Sequence, residues 1–416
     1  MNNTIQSVNR LIGQSVNIAV VLCPLLAISE QIEVAKWDPD MAIKSAVVTN
    51  NVCWIDGKML PIEGRAFDDV ELYYDRLPSN LTERINYGVA KILKHDSAGM
   101  QFRFTTTSKE LHLRWKPLRP KNYMDHMAST GHSGIDVYRY DEAKNRWYYL
   151  VTGRPERDGD KLVKGGAIDI PWQPGRTCLV NLPLYNGIAE FTLGIDADST
   201  ISAAPKRKSG IEKPVVFYGT SITQGGCASR PGMAFPSIIG RELDVPIVNL
   251  GFSGSGRMEL DMADVIARID ASCYVLDCLW NMKCRVLPDG DPAEADLAAA
   301  GVGREFTPES ECLYVATRYE KFIRRLRSLR PETPIVMAEM CNVFCGEKRP
   351  RNLVMRKLYE RLVAEGWEKL VYLPSEGMYP DDREGTVDGS HATDYGMVNL
   401  AQAYGKAIKS ALKVSD

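Results

Sequence analysis

Four short stretches of the C-terminal half carry residue types that can do chemistry. The first is Gly219-Thr220-Ser221-Ile222-Thr223-Gln224-Gly225, directly after the apolar run 215–218. A loop that cradles phosphate has Lys, then Ser or Thr, after its last glycine, whereas Gly226 and Cys227 stand here. A serine elbow of the α/β-hydrolase kind has glycine two residues after the serine, and Thr223 occupies that place. The loop presents Ser221 at a strand-to-helix turn, where a serine can equally be a helix cap. The second stretch, Gly251-Phe252-Ser253-Gly254-Ser255-Gly256, fails as a dinucleotide fingerprint because Glu259 falls where a small residue is needed. Its glycines either make a tight turn or expose a backbone N–H to a ligand oxygen. The third is Leu279-Trp280-Asn281-Met282 and the fourth Asp388-Gly389-Ser390-His391. The histidines are His95, His112, His126, His132 and His391, and only His391 lies beyond residue 210. Imidazole catalysis by this half must therefore use His391. Serine, imidazole and carboxylate are the parts of nucleophilic catalysis, since a hydroxyl attacks poorly until a base withdraws its proton.

The elements that must position these stretches can be read from periodicity. After Pro214, short apolar runs at 215–218, 247–250, 274–279, 335–338 and 370–373 read as buried parallel strands. Helical patterns lie between them: Tyr319, Phe322, Ile323, Leu326 and Arg330 follow three-four spacing, as do Met355, Leu358 and Leu362. Strand-helix alternation predicts a doubly wound α/β domain over 214–416, which binds ligands at the carboxyl ends of its strands. All four stretches follow such strands. From about residue 30 to 204 the period is two instead. Phe102 and Phe104 alternate with polar neighbours, as do Leu111, Leu113 and Trp115, and the intervening Thr-Thr-Ser-Lys reads as a turn. Further strand-like runs at 147–152, 177–183 and 190–195 predict an antiparallel sandwich of jelly-roll type. Residues 205–213, with Pro205-Lys206-Arg207-Lys208, read as a solvated linker rather than a targeting or phosphate-binding patch.

Taken together and in order, the four stretches resemble the blocks of the SGNH (GDSL-like) hydrolases, over roughly residues 211–412. Upstream, Gly134-Ile135-Asp136-Val137-Tyr138 resembles the Gly-x-Asp-Leu-Tyr signature of the β-sandwich domain that precedes SGNH domains in some bacterial esterases. The resemblance implies a flavodoxin-like α/β fold and ester hydrolysis without a cofactor or metal. It implies Ser221 as nucleophile, His391 as general base and Asp388 as the carboxylate that orients the imidazole. It also implies an oxyanion hole of the Ser221 and Gly254 N–H groups and the Asn281 side chain; such donors meet the charge of the tetrahedral intermediate. Asp382 and Asp394 compete with Asp388, but its spacing to His391 favours Asp388. The third block departs from the family, where Gly-x-Asn-Asp is common and Leu279 and Met282 flank Trp280-Asn281 here. The acidic, Pro/Gly-rich connection 284–308 either shapes substrate choice or is a passive insertion. The sandwich signature reads as structural, and His126 and His132 read as ordinary polar residues.

The chain has 416 residues, enough for two domains, and 51 Lys+Arg against 53 Asp+Glu, so it lacks the basic excess of a nucleic-acid binder. Arg10, the apolar stretch 18–28 and Ala27-Ile28-Ser29 read as a secretory signal spanning 1–29, with a retained anchor or a lipoprotein through Cys23 as weaker alternatives. No later segment approaches the roughly 18 apolar residues of a membrane span. The expectation is a periplasmic or secreted protein. Export leaves Cys53, Cys178, Cys227, Cys273, Cys278, Cys284, Cys312, Cys341 and Cys345, an odd number that is no disulfide scaffold. Cys273 and Cys278 read as buried thiols, Cys341 and Cys345 as a pair if the compartment oxidises, and none has the spacing of a zinc site. The expected activity is removal of acyl groups, above all acetyl, from a small-molecule or polysaccharide ester. The alternatives are a lipid or lysophospholipid acyl hydrolase, or a catalytically silent carbohydrate-binding protein.

Overall fold

The computed structural model describes residues 46–121, 123–158, 161–162, 165–282, 294–301, 308–341 and 350–414. The expected signal segment 1–29, Cys284, Cys345 and most of the 284–308 connection lie outside them.

Period-two sequence becomes two antiparallel sheets packed face to face. One runs Ala46–Thr49, Val52–Asp56, Ile188–Asp196, Glu110–Pro117, Gly166–Pro171 from edge to edge. The other runs Ile201–Ala203, Gln101–Thr106, Thr177–Asn181, Ile135–Asp141, Arg146–Gly153, with Ile62–Glu63 also on Gln101–Thr106. Leu113 sits opposite Leu193 on one side and Ile168 on the other, and Phe102 sits opposite Val180. These side chains point inward and, with Phe104, Leu111 and Trp115, form the buried core between the sheets. Each large apolar side chain buried there contributes roughly 1.5–3 kcal/mol.

The second half is a five-stranded parallel sheet in the order Ile247–Gly251, Val215–Gly219, Cys273–Asp277, Ile335–Ala338, Leu370–Leu373. Every residue of the first four strands is buried, as sheets covered on both faces require. Gly219 pairs in register with both Gly251 and Asp277, so three of the chemistry-bearing loops leave the sheet at one level. Helix Pro308–Leu329 buries Tyr319, Phe322, Ile323 and Leu326, and helix Pro350–Ala364 buries Met355, Leu358 and Leu362. Cys273 and Cys278 are buried free thiols, as their apolar setting predicts.

The two halves share their cores. Phe67, Leu77, Ile85 and Val89 join the cluster on one face of the parallel sheet; Ala98, Met127, Leu184 and Tyr185 join the cluster on the other. The connecting segment is also less free than its composition suggests. Arg207 is largely buried and pairs with Glu63 of the sandwich and with Asp244 of the α/β half, at 3.2 Å for the latter. A basic run directly after a proline reads as solvated because its acidic partners lie far away in sequence.

Asp136 of the Gly134–Tyr138 segment is wholly buried and clamps the halves together. One carboxylate oxygen accepts from Asn181 Nδ2 at 2.7 Å and the other from the Gly232 N–H, across the domain boundary, at 2.7 Å. Gly232 is obligatory there, because a Cβ would stand 2.8 Å from the carboxylate and 2.6 Å from the Tyr138 ring. Asp136→Ala strands both donors, and we expect a loss of about 3 kcal/mol in unfolding free energy. Denaturant titration of Asp136→Ala beside Asp68→Ala, whose side chain is fully exposed, checks this; equal stabilities would remove the clamp.

Asp277, at the carboxyl end of the central strand, accepts from Thr223 Oγ1 at 2.6 Å. Complete burial pushes its carboxyl up to about 7. A folded value above the ordinary value of about 4 means that the native state binds the proton more tightly, so this contribution to stability is full in acid and falls as pH rises towards 7. Asp277→Asn keeps the acceptor for Thr223 and removes the ionisation. Stability measured from pH 5 to 8 should decline less in the variant than in the natural protein, and parallel curves would refute the assignment.

Candidate active site

The turn that carries Ser221 is built by local hydrogen bonding. Thr220 is the N-cap of the one-turn helix Ser221–Gln224 and forms a capping box with Thr223, so the serine is the first helical residue and not the cap. That position leaves the Ser221 N–H without an intrahelical acceptor. Gly225, at φ 109°, ends the turn in the left-handed region that glycine adopts freely.

His391 reaches this turn from the far end of the chain. Its Nε2 lies 2.9 Å from Ser221 Oγ, and its Nδ1 lies 2.7 Å from Asp388 Oδ2. The other oxygen of Asp388 accepts the backbone N–H of His391 at 2.7 Å and of Ser390 at 3.0 Å. Burial pushes the Asp388 carboxyl up, but these bonds outweigh it and hold the group below the usual carboxylate range. With the carboxylate accepting at Nδ1, the free lone pair of the imidazole lies on Nε2 and faces the serine. The loop is closed by a bridge between Thr386 and Ala392, and helix Asp394–Leu412 starts immediately after it. The competing carboxylates are engaged elsewhere: Asp394 accepts from Ser229, and Asp382 from the Glu384 N–H.

The glycine loop and Asn281 meet beside this turn. The Phe252 N–H donates to Gly219 O at 3.0 Å, and the Ser253 N–H donates to Gln224 Oε1 at 2.9 Å. Asn281 Nδ2 donates to Phe252 O at 3.3 Å, a long bond that joins the second and third stretches. Gly254 stands at φ 66°, in a conformation suited to glycine, at an exposed point of the loop. The unusual neighbours of Asn281 are packing residues: Leu279 and Met282 are buried in the core under the sheet.

Several site residues escaped the sequence reading because their partners are distant in the chain. Gln224 is fully buried; its amide nitrogen donates to Asp96 at 2.8 Å and to Leu184 O at 2.9 Å, both from the sandwich half. Tyr185 donates its hydroxyl proton to Ser221 O at 3.1 Å. Arg76 is buried, donates to Gly251 O at 2.6 Å and stacks over the Phe252 ring. No local motif marks these residues.

His126 requires a correction. It is not an isolated polar residue: a tight turn between Met124 and Met127 carries its ring to the His391 ring, edge to face, with centroids 5.2 Å apart. Cys227 joins them, and the ligand-capable atoms of His126, Cys227 and His391 lie within 4.8 Å of one another. An open cleft of about 660 Å³ lies beside this corner, lined by residues 123–130, Arg154 and Val387. His132, by contrast, is buried against Ser133, and burial drives its imidazole down to about 3. Among the described residues Cys53, Cys178, Cys227, Cys273, Cys278 and Cys341 are free thiols. No helix among them is long and apolar enough to cross a membrane.

Residues 212–409 match the GDSL-like Lipase/Acylhydrolase family, and residues 52–201 match the N-terminal domain of SGNH-hydrolase-type esterases. No curated protein matches the chain. A Bacteroides ovatus ATCC 8483 protein assigned to the GDSL-like lipases is similar at 26% identity and a TM-score of 0.69, over 88% of this chain and 99% of that one. A salicylyl-acyltransferase from a tetracycline biosynthetic pathway shares the fold at 16% identity and TM-score 0.61, over 88% and 99% of the two chains. A family two carbohydrate esterase from Cellvibrio japonicus does so at 11% and 0.51, over 87% and 98%. The chain belongs to the GDSL-like lipase/acylhydrolase family of ester hydrolases and carries ahead of its hydrolase half the N-terminal domain of SGNH-type esterases.

Proposed function

We propose that this ester hydrolase is an exported serine esterase that removes short acyl groups, above all acetyl, from carbohydrate. The observation that carries the reading is the chain of hydrogen bonds from Ser221 Oγ through His391 to Asp388, at 2.9 and 2.7 Å, at the carboxyl end of a parallel sheet. Ser221 Oγ attacks the ester carbonyl carbon while its proton passes to His391 Nε2. Asp388, held ionised by its backbone donors, stabilises the imidazolium that forms. The N–H groups of Ser221 and Gly254 and the Asn281 amide receive the oxyanion. Asn281 has an amide hydrogen beyond the one given to Phe252 O, which leaves it a donor to spare. The alcohol departs with the proton from His391, leaving an acyl-serine. Water, deprotonated by the same imidazole, then releases the acid and restores the serine.

The cleft beside His126 has a mixed wall, with Tyr123, Asp125, Ser129, Thr130 and Arg154 set among Met124, Met127, Ala128 and Val387, and its polar members suit the sugar part of such an ester. The fold shared with the Cellvibrio japonicus carbohydrate esterase supports the sugar part of the reading. The apolar run 18–28 supports export to the periplasm or medium, where polysaccharide is found.

Hydrolysis of p-nitrophenyl acetate should exceed that of the octanoate ester, and acetylated plant polysaccharide should release acetate. Ser221→Ala should lower kcat by about 10³-fold or more, and Asn281→Ala by about 10²–10³-fold. Octanoate turned over as fast as acetate would favour a lipid acyl hydrolase. Glycan binding without turnover of any ester would favour a silent binding protein.

A further inference from the structure

The corner formed by His126, Cys227 and His391 holds more polar chemistry than ester hydrolysis uses. Two imidazoles and a thiol, on three separate segments, bring their ligand-capable atoms within 4.8 Å of one another. Zinc bound at 2.0–2.1 Å by nitrogen and 2.3 Å by sulfur holds such atoms about 3.3–3.6 Å apart, so the side chains need close by only roughly 1 Å. His126 sits in the two-residue turn closed by the bridge between Met124 and Met127. Cys227 is held at φ 72°, a left-handed conformation that a non-glycine residue rarely adopts, directly after two glycines. Its backbone presents a buried thiol at a place where glycine would fit without strain. Asp388, accepting from Nδ1 of His391, supplies the carboxylate–histidine arrangement that aims the other ring nitrogen at a metal.

We propose that His126, Cys227 and His391 form an inhibitory site for a borderline-soft divalent cation of the zinc type. The metal takes the Nε2 lone pair of His391, so that imidazole no longer accepts the Ser221 proton. Its other protein ligands are the His126 imidazole and the Cys227 sulfur, and water fills the fourth position. Binding exchanges the thiol proton for the metal: Cys–SH and Zn²⁺ give Cys–S–Zn⁺ and H⁺. The sandwich half thereby contributes, through His126, a ligand that the hydrolase half lacks.

The test uses full-length protein stripped with EDTA and titrated with Co²⁺ and with Zn²⁺. One equivalent of Co²⁺ should produce a near-ultraviolet thiolate-to-metal charge-transfer band, and Zn²⁺ should abolish it. Zn²⁺ should lower p-nitrophenyl acetate turnover about tenfold or more, reversibly with EDTA. Cys227→Ser should keep metal-free turnover and raise the inhibitory Zn²⁺ concentration about tenfold or more, and His126→Gln should raise it likewise when inhibition is scaled to that variant's own metal-free turnover. Ser221→Ala should retain the band, so loss of the esterase reading would leave this test intact. Absence of the band in the natural protein, or inhibition of Cys227→Ser at an unchanged Zn²⁺ concentration, would overturn the proposal.

Discussion

The hydrogen bond between Ser221 Oγ and His391 Nε2 spans 170 positions of sequence, and most of the fold can be understood as what holds its two ends together. One end rides on a capped turn that leaves a fully buried strand; the other hangs from a short closed loop ahead of the last helix. A parallel sheet whose neighbouring strands stop in register gives these loops a common level, which is why ligands gather at carboxyl ends in such folds. A slip in either anchor by an ångström would separate groups whose chemistry depends on contact.

The sandwich half is part of this arrangement rather than an appendage. Its Asp96 and Leu184 hold Gln224, its Tyr185 holds the carbonyl of Ser221, and buried Arg76 holds the end of the neighbouring strand at Gly251. Arg76 is costly to bury, and burial lowers its guanidinium to about 10. Three backbone carbonyls and the nearby Asp96 carboxylate compensate it, a set found only when both halves are folded against each other. The Gly134–Tyr138 segment is therefore structural in a specific sense: Asp136 reaches into the hydrolase half and fixes the loop before helix Phe235–Glu242.

Much of this was legible in the chain itself. Alternation at Phe102, Phe104, Leu111, Leu113 and Trp115 marks the sandwich because a half-buried strand must alternate. Three-four spacing from Tyr319 to Leu326 marks a helix lying on a sheet. Ser221, Asp388 and His391 were visible because each sits in a short motif after an apolar run, and two of them share one turn. Gln224, Arg76, Tyr185 and the His126–Cys227 corner were not, since their meaning depends on how two separately patterned halves dock. The same reason misled the reading of Arg207 as solvent-facing. Side-chain pairing across a domain boundary leaves no periodic trace.

One lone pair stands at the centre of the account: Nε2 of His391, aimed by Asp388 at the serine hydroxyl. The most direct measurement is labelling with a fluorophosphonate, which reacts with serines activated in this way, followed by peptide mass spectrometry. One adduct per chain, on the peptide containing Ser221 and lost when His391 is replaced by alanine, is the expected result. An adduct on another serine, or labelling of Ser221 that persists without His391, would contradict the account.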